Sequence, residues 1–365
     1  MLEPVNLRHI LHENPELMFQ EFFTTQLLID NLSELKNLVI YRPIETGLVV
    51  EYKVNDGDYL LFRADIDALP IKENTGVEWS SKNDNMHACG HDVHTSIMYS
   101  FIQYVVENKI NRNIIFVFQP GEEAGGGALK VIESGIFDKF PIKYAFALHV
   151  TDEYDFGTIA STDGVLFVSS VECDIEIFGK SSHVAFPENG IDSFKTLRYF
   201  LDMIDKKVET STEPFIFGYG KIVSGQARNI IPNYSKAECT IRALSLEKQD
   251  EYIQLIYNDL NVATNKFGSK YKFHLGPKYA EVIVDSELYK KLVLVLSNKF
   301  NFIDCGLKMT AEDFGYFSKK YPSFMAWVGV SKGEKYGLHN DKFLPPDESI
   351  ELGKNVLISI LGCFI

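Results

Sequence analysis

Cysteine is scarce in this chain of 365 residues: only five occur, an odd number, widely scattered and without a Cys-x-x-Cys pair. That argues against a disulfide framework and for reduced thiols in a reducing compartment. Cys173, Cys239, Cys305 and Cys363 sit among apolar neighbours and are expected to fill core, whereas Cys89 does not. Long apolar runs are also missing. The longest, Val356 to Ile365, is about half a membrane span, so no membrane partner is expected. Basic residues are outnumbered, 36 Lys plus Arg against 50 Asp plus Glu, giving a formal net charge of −14. With no Lys/Arg run interleaved with aromatics, the chain repels phosphate backbones and is not expected to bind nucleic acid. The opening Met1-Leu-Glu-Pro-Val-Asn lacks the basic-then-apolar layout of a secretory leader, and the expected location is the cytoplasm. Serine chemistry has no Gly-x-Ser-x-Gly elbow to support it. Gly125-Gly126-Gly127 fits neither a P-loop nor a dinucleotide fingerprint, so it reads as turn and close packing.

What is present is a globular composition, 45% hydrophobic, 24% charged and 13% aromatic, at a length suggesting two or three domains. Glu21 to Lys36 carries Phe23, Leu27, Leu28, Leu32 and Leu35 as an amphipathic helical stripe. Leu48–Tyr52 and Tyr59–Phe62 read as short strands across the hairpin-like turn signal Asn55-Asp56-Gly57-Asp58. His94 to Asn108 repeats apolar pairs every four residues, which predicts a helix with one buried face. Ile114–Phe118 and Ala145–Leu148 are continuous apolar runs, as in strands covered on both faces. This alternation predicts an α/β domain with a mostly parallel sheet and helices on both faces.

Near residue 170 the pattern changes. Val171, Cys173, Ile175 and Ile177 alternate with acids, and Ala237, Cys239, Ile241 and Ala243 alternate in the same way. Period-two strands suit an antiparallel sheet covered on one side. Helical patterns lie at 191–208 and 246–267. The expected organisation is a smaller α+β domain, residues 171–278, inserted into a larger one made of residues 1–170 and 279–365.

Ligands of α/β sheets gather beyond the carboxyl ends of the strands. Asp65 and Asp67 follow one buried run, Glu122 and Glu123 the next, and His149 the third; His339 lies downstream of the apolar run 324–330. Between strand and helix stands Met86-His-Ala-Cys89-Gly-His91-Asp92-Val-His94. Each piece has a plain reading. Asp65 and Asp67 suit a loop or cap, Glu122 and Glu123 the first turn of a helix, His149 a core hydrogen bond, and His94 a supporting partner or helix start. Jointly those readings are improbable, and a metal site is expected. Thiolate, imidazole and carboxylate together suit zinc, with cobalt, manganese or nickel as alternatives. Five candidate ligands (Cys89, His91, Glu123, His149 and His339) exceed one open tetrahedral site and better fit two divalent ions sharing a ligand. Glu122, beside a ligand but not itself needed as one, is the candidate general base.

At these residues the chain resembles the aminoacylase and glutamate-carboxypeptidase family of dinuclear metallohydrolases, in its amidohydrolase branch. The matching stretches include Leu11-His-Glu-Asn-Pro-Glu-Leu17, Arg63-Ala-Asp-Ile-Asp-Ala-Leu-Pro70, Met86 to His94, Phe118-Gln-Pro-Gly-Glu-Glu123, Ala147-Leu-His149, Gly225 to Pro232 and Gly337-Leu-His339. The resemblance implies a catalytic domain with an inserted ferredoxin-like α+β lid and a homodimer formed through that lid. It implies metal binding by Cys89, His91, Glu123, His149 and His339, and Glu122 as base. Asp65 stands where relatives carry a metal-binding His and Asp67 in the supporting place, and the resemblance does not choose which matters more. His183, Asn229 and Arg242 match lid positions that touch substrate in relatives, and Arg228 with Arg242 offers bidentate geometry for a carboxylate. Gln119 to Ala128 and Met309 to Tyr316 resemble the subgroup that deacetylates N-acetyl-LL-diaminopimelate in bacterial lysine synthesis; Gly121 and Ala311 are its small-for-small departures. The alternatives are an amidohydrolase of aromatic, hippurate-like conjugates and a catalytically inactive metal- or ligand-binding protein.

Overall fold

In the computed structural model, which describes residues 2–365, the apolar runs of the first third become the centre of an eight-stranded sheet. Its spatial order is Leu38–Tyr41, Leu48–Tyr52, Asn113–Gln119, Tyr59–Asp65, Ile142–Asp155, Ser323–Ser331, Thr158–Ser161 and Asn301–Asp304. The three central junctions, on either side of Tyr59–Asp65 and between Ile142–Asp155 and Ser323–Ser331, are parallel. Antiparallel pairs flank them, so the sheet is mixed with a parallel centre. Leu48–Tyr52 and Tyr59–Asp65 form no hairpin, because Asn113–Gln119 inserts between them and pairs with both. Every residue of Tyr59–Asp65 and Asn113–Gln119 is buried, as expected for strands covered on both faces. Helix His91–Glu107 lies against these strands, and helices Pro4–Glu13 and Glu348–Leu361 pack on it.

Several local expectations shift. The helix anticipated from His94 starts at His91, behind Gly90 in the left-handed region at φ 81°. It is buried on all sides from His91 to Ile102 rather than along one face. The stripe on Glu21–Lys36 is also offset. The helix there is Phe22–Leu32; Phe23 is exposed, while Thr24, Thr25 and Asn31 join Leu28 and Leu32 inside. Two of these polar groups meet backbone donors: Gly47 N–H donates to Thr25 Oγ1, and Leu2 N–H to Asn31 Oδ1. Of the four cysteines expected in the core, Cys173 and Cys239 are buried, but Cys305 and Cys363 are only half-buried.

The chain divides into two units. One runs to Leu166 and resumes at Val282–Lys308 and Glu312–Ile365; the other comprises Phe167–Glu281 and Met309–Ala311. In the second, strand Ser169–Phe178 is followed by helix Ser193–Thr210, strands Phe215–Ser224 and Tyr234–Ala243, helix Leu246–Phe267 and strand Lys270–Tyr279. The strands form one antiparallel sheet ordered Lys270–Tyr279, Ser169–Phe178, Tyr234–Ala243, Phe215–Ser224. Val171, Cys173, Ile175, Ile177, Ala237, Cys239, Ile241 and Ala243 are all buried against Leu197, Phe200, Ile204, Ile256 and Leu260 of the two helices. No helix among the described residues is long and apolar enough to cross a membrane.

Candidate metal centre

Strand ends and one tight turn bring the first group of residues together. Asp65 is the last residue of its strand, paired in register with Gln119, rather than a loop residue beyond it. Gly90 separates Cys89 from His91; a Cβ there would meet Val150 Cγ2 at 2.4 Å, so the turn passes too close to the strand for a side chain. His149 lies inside Ile142–Asp155 rather than at its end, because pairing with Ser323–Ser331 carries the strand onward, His149 opposite Trp327. His339, exposed and at φ 62°, is tied back by its own N–H to the Ala88 carbonyl.

Around His91 the polar atoms converge. Nδ1–H of His91 donates to the Asp67 carbonyl at 2.9 Å, which leaves Nε2 pointing at Asp65 Oδ2 (3.7 Å) and Glu123 Oε1 (3.8 Å). Glu123 Oε2 is 3.4 Å from His339 Nε2, and Cys89 Sγ is 3.5 Å from His149 Nε2. His149 Nδ1–H donates to the Val150 carbonyl, so its Nε2 too faces the cluster with a lone pair. Ligand atoms of Cys89, His91 and Glu123 lie within 4.8 Å of one another, as do those of Asp65, His91, His94 and His149. His91 Nε2, Glu123 Oε1 and Asp67 Oδ1 are buried without a hydrogen-bond partner. Groups that abandon water without compensation are costly, and a cation among them removes the cost.

Asp65 and Asp67 separate by geometry. Asp67 holds its neighbours: its carbonyl fixes His91 and its Oδ2 accepts the Glu123 N–H at 2.9 Å. Asp65 faces the cluster itself, against His91 Nε2. His94 donates from Nδ1 to Asp65 and accepts the Val150 N–H at Nε2, 2.8 Å, so both its ring nitrogens are committed and it acts as a supporting partner.

The electrostatics favour a cation. Burial works against charge on His91, yet Asp65, Asp67 and Glu123 lift it to about 10. Burial, with Glu123, Glu122 and Asp65, pushes the Cys89 thiol well up. Burial and then Glu312, Glu123, Asp313 and Asp67 raise Glu122 well above the ordinary carboxyl range. The donor set is mixed thiolate, imidazole and carboxylate, which fits a borderline divalent metal.

A second layer was not singled out from the sequence. Arg63, fully buried, donates from Nε to Gln119, from Nη1 to Asp65 at 2.7 Å, and from Nη2 to Glu312 and Asp313, each at 2.7 Å. Asp313 also accepts from Gln119 Nε2 and the Ala128 N–H. Ligand atoms of Glu122, Glu312 and Asp313 lie within 4.8 Å of one another, so one guanidinium serves a pool of buried acids. The available signal was a lone Arg closing the apolar run Tyr59-Leu-Leu-Phe.

The remaining candidates lie in the second unit. His183 and Asn229 are neighbours there: His183 bridges Ile230, and the Val184 N–H donates to the Asn229 carbonyl. His183 Nδ1 accepts from the Ala185 N–H at 3.1 Å, which leaves Nε2–H as an outward donor. Arg228 is exposed and makes no hydrogen bond or ion pair among the described residues, whereas Arg242 is half-buried and donates to the Met309 carbonyl at 2.9 Å.

This fold and donor set agree with comparison to known proteins. The chain belongs to peptidase family M20/M25/M40, whose profile matches residues 61–362. It is 36% identical over 359 residues to an N-acetyldiaminopimelate deacetylase of Exiguobacterium sibiricum, covering 97% of each chain. An N-acetyldiaminopimelate deacetylase of a Geobacillus species is also 36% identical, over 98% of this chain and 96% of its own. Among solved structures, the Bacillus subtilis YXEP protein, a dinuclear metal binding peptidase from the M20 family, superposes with a TM-score of 0.82 at 26% identity, covering 98% of this chain and 96% of its own.

Proposed function

We propose that this protein is a metal-dependent deacetylase of N-acetyl amino acids, with N-acetyl-LL-diaminopimelate as substrate and LL-diaminopimelate and acetate as products. The observation that carries the reading is the convergence of Cys89, His91 and Glu123 on buried atoms that lack partners, beside Glu122. Near full-length similarity to two N-acetyldiaminopimelate deacetylases supports the substrate, and with it a place in lysine biosynthesis.

In this reading Cys89, His91, Glu123, His149 and His339 hold two divalent ions, with zinc, manganese, cobalt and nickel as candidates. Bound there, such ions polarise a scissile carbonyl and lower the pKa of water. The chain's own residues do the rest. Glu122 takes the attacking water's proton on its carboxylate and passes it to the leaving amine. Asp67 fixes His91, and Asp65 is fixed in turn by Arg63 and His94. The second unit serves as the lid: its strand–helix–strand–strand–helix–strand order supports the ferredoxin-like type. There His183 Nε2–H polarises the scissile carbonyl, Asn229 assists, and Arg228 and Arg242 face the substrate carboxylate. Edge strand Phe215–Ser224 exposes Ile216, Tyr219, Ile222 and Val223, which supports a homodimer through that edge. The acidic composition and reduced thiols support a cytoplasmic setting.

The test is metal content together with acetate release across a small panel. About two divalent ions per chain are expected, with kcat/KM far higher for N-acetyl-LL-diaminopimelate than for hippurate. A better rate on hippurate assigns the chain to aromatic conjugates instead. Bound metal without turnover of either leaves a binding protein.

A further inference from the structure

The segment between the first two helices has no part in the chemistry above, yet it packs against two of the loops that carry the centre, those of Asp67 and of Glu122–Glu123. Leu17 bridges Ala68, and the Ala68 N–H donates to the Glu16 carbonyl, just past Asp67. Phe19, held at φ 57°, lays its ring over Gly121 and Gly125, where an added Cβ would stand 2.6 and 2.3 Å from ring carbons. Lys130 Nζ sits 3.6 Å from the centre of that ring.

Glu21 is the unusual member. It precedes helix Phe22–Leu32, where a short polar side chain normally accepts from the first free N–H groups. Here it makes no such cap. Glu16 has taken that role, accepting from the Phe23 and Thr24 N–H groups at 2.9 and 2.8 Å. The Glu21 carboxyl is thereby released into the interior, with no exposed surface at all. Its Oε1 accepts the Gly121 N–H at 2.9 Å, while Oε2 is buried without a hydrogen-bond partner. Burying a carboxyl this deeply is destabilising in itself, so its retention calls for a compensating task. Gly121, in the left-handed region at φ 66°, opens the turn that carries Glu122 and Glu123.

We propose that Glu21 is a positioning residue: its acceptor oxygen clamps the Gly121 N–H and so fixes the aim of both Glu122 and Glu123. The inference rests on the reading of that turn as base plus metal ligand. What the clamp needs is an acceptor oxygen rather than a charge. Burial and the nearby Asp67 carboxylate already push Glu21 up to about 7, so glutamine closely imitates its protonated form.

The experiment compares wild type, Glu21→Ala, Glu21→Gln and Leu28→Ala, all in the full chain. Leu28, buried on the adjoining helix, controls for lost stability alone. Metal affinity by chelator competition, melting temperature and, separately, kcat and KM are measured. Partners that support a ligand shell typically contribute about 10–100-fold. Glu21→Ala should therefore lower kcat and weaken metal affinity by about that factor with KM little changed, Glu21→Gln should restore both, and Leu28→Ala should lower only the melting temperature. If Glu21→Ala does not fold, Glu21→Met is read in its place. The proposal is overturned if kcat and metal affinity in the alanine or methionine variant stay within about two-fold of wild type, if Leu28→Ala matches their losses, or if glutamine fails to restore them. A wild-type chain that binds metal but releases no acetate sinks the deacetylase reading, and the chelator competition then still judges the clamp.

Discussion

The two units solve opposite problems with polar groups. In the first, nearly every functional side chain is buried: Asp65, Asp67, His91, His94 and Glu312 have almost no exposed surface, and each is fixed by at least one named partner. In the second, His183, Arg228 and Asn229 are exposed, and the buried face of its sheet is mainly apolar, with Val171, Ile175, Ile177 and Ile241 at its centre. Burial raises the strength of every charge interaction and the cost of every unpaired one. Exposure keeps side chains adaptable and their contributions small until a ligand covers them. Substitutions at the buried candidates of the first unit should therefore disturb the fold around them, and those at the exposed candidates of the second should leave stability nearly unchanged.

The sharpest way to break that contrast is at Glu122. If Glu122 is the proton acceptor, Glu122→Gln removes that function while keeping the shape, and kcat should fall about 10²–10⁴-fold with metal content unchanged. Acetate release beside elemental analysis checks both halves; hydrolysis within a few-fold of wild type removes Glu122 from the role. If Cys89 is a ligand, Cys89→Ala should do the reverse and lose metal, because its thiolate is gone. Arg63→Met tests the buried acids. Removing one partner of a buried charge cluster typically costs about 3–5 kcal/mol, and here Asp65, Glu312 and Asp313 all lose their shared cation. Urea denaturation should show a loss of that size, and a change under about 1 kcal/mol would mean that the acids are neutralised in some other way.

The two units are legible in the sequence to different degrees for the same reason. Period-two alternation named the buried faces of Ser169–Phe178 and Tyr234–Ala243, and the helical pattern over 246–267 coincides with Leu246–Phe267. An apolar layer writes itself into the sequence as periodicity. The metal cluster was legible because ligand types recur after successive buried runs. What stayed hidden were partners chosen by distance in space. Glu312 and Asp313 lie about 250 residues from Arg63, and Glu21 lies 100 residues from Gly121. Nothing local in Ala-Glu-Asp-Phe distinguishes a buried acid pair from a solvated one. Strand ends were also hard to place, since pairing with Ser323–Ser331 extends the strand through His149 well beyond its apolar run.

Within the second unit, His183 should show the largest effect. Its Nδ1 is already an acceptor for the Ala185 N–H, which fixes Nε2–H as the donor. If that donor meets the developing oxyanion, His183→Ala should lower kcat about 10²–10³-fold, the scale of losing one such contact. Metal content and melting temperature should barely move, because the ring is exposed and its partners, the Ala185 N–H and the Phe186 ring, lie at the surface as well. An unchanged kcat would make it an ordinary turn residue.

The smallest effect expected separates the two arginines. A substrate carboxylate is best held by an uncommitted planar fork, and long-range attraction cannot help because the chain is net negative. Arg242 has already given Nη1 to the Met309 carbonyl, whereas Arg228 has given nothing among the described residues. Arg228→Met should therefore weaken kcat/KM for a carboxylate-bearing substrate by about 1.5–3 kcal/mol, the scale of a charged hydrogen bond. Arg242→Met should cost less in kcat/KM but more in stability, since its half-buried stem and carbonyl contact are lost together. An N-acetylated amine without the carboxylate supplies the control. Its hydrolysis, slow in wild type, should not slow further in Arg228→Met. Equal losses on both substrates would show Arg228 acting through the fold, and the second unit would then contribute shape rather than recognition at that position.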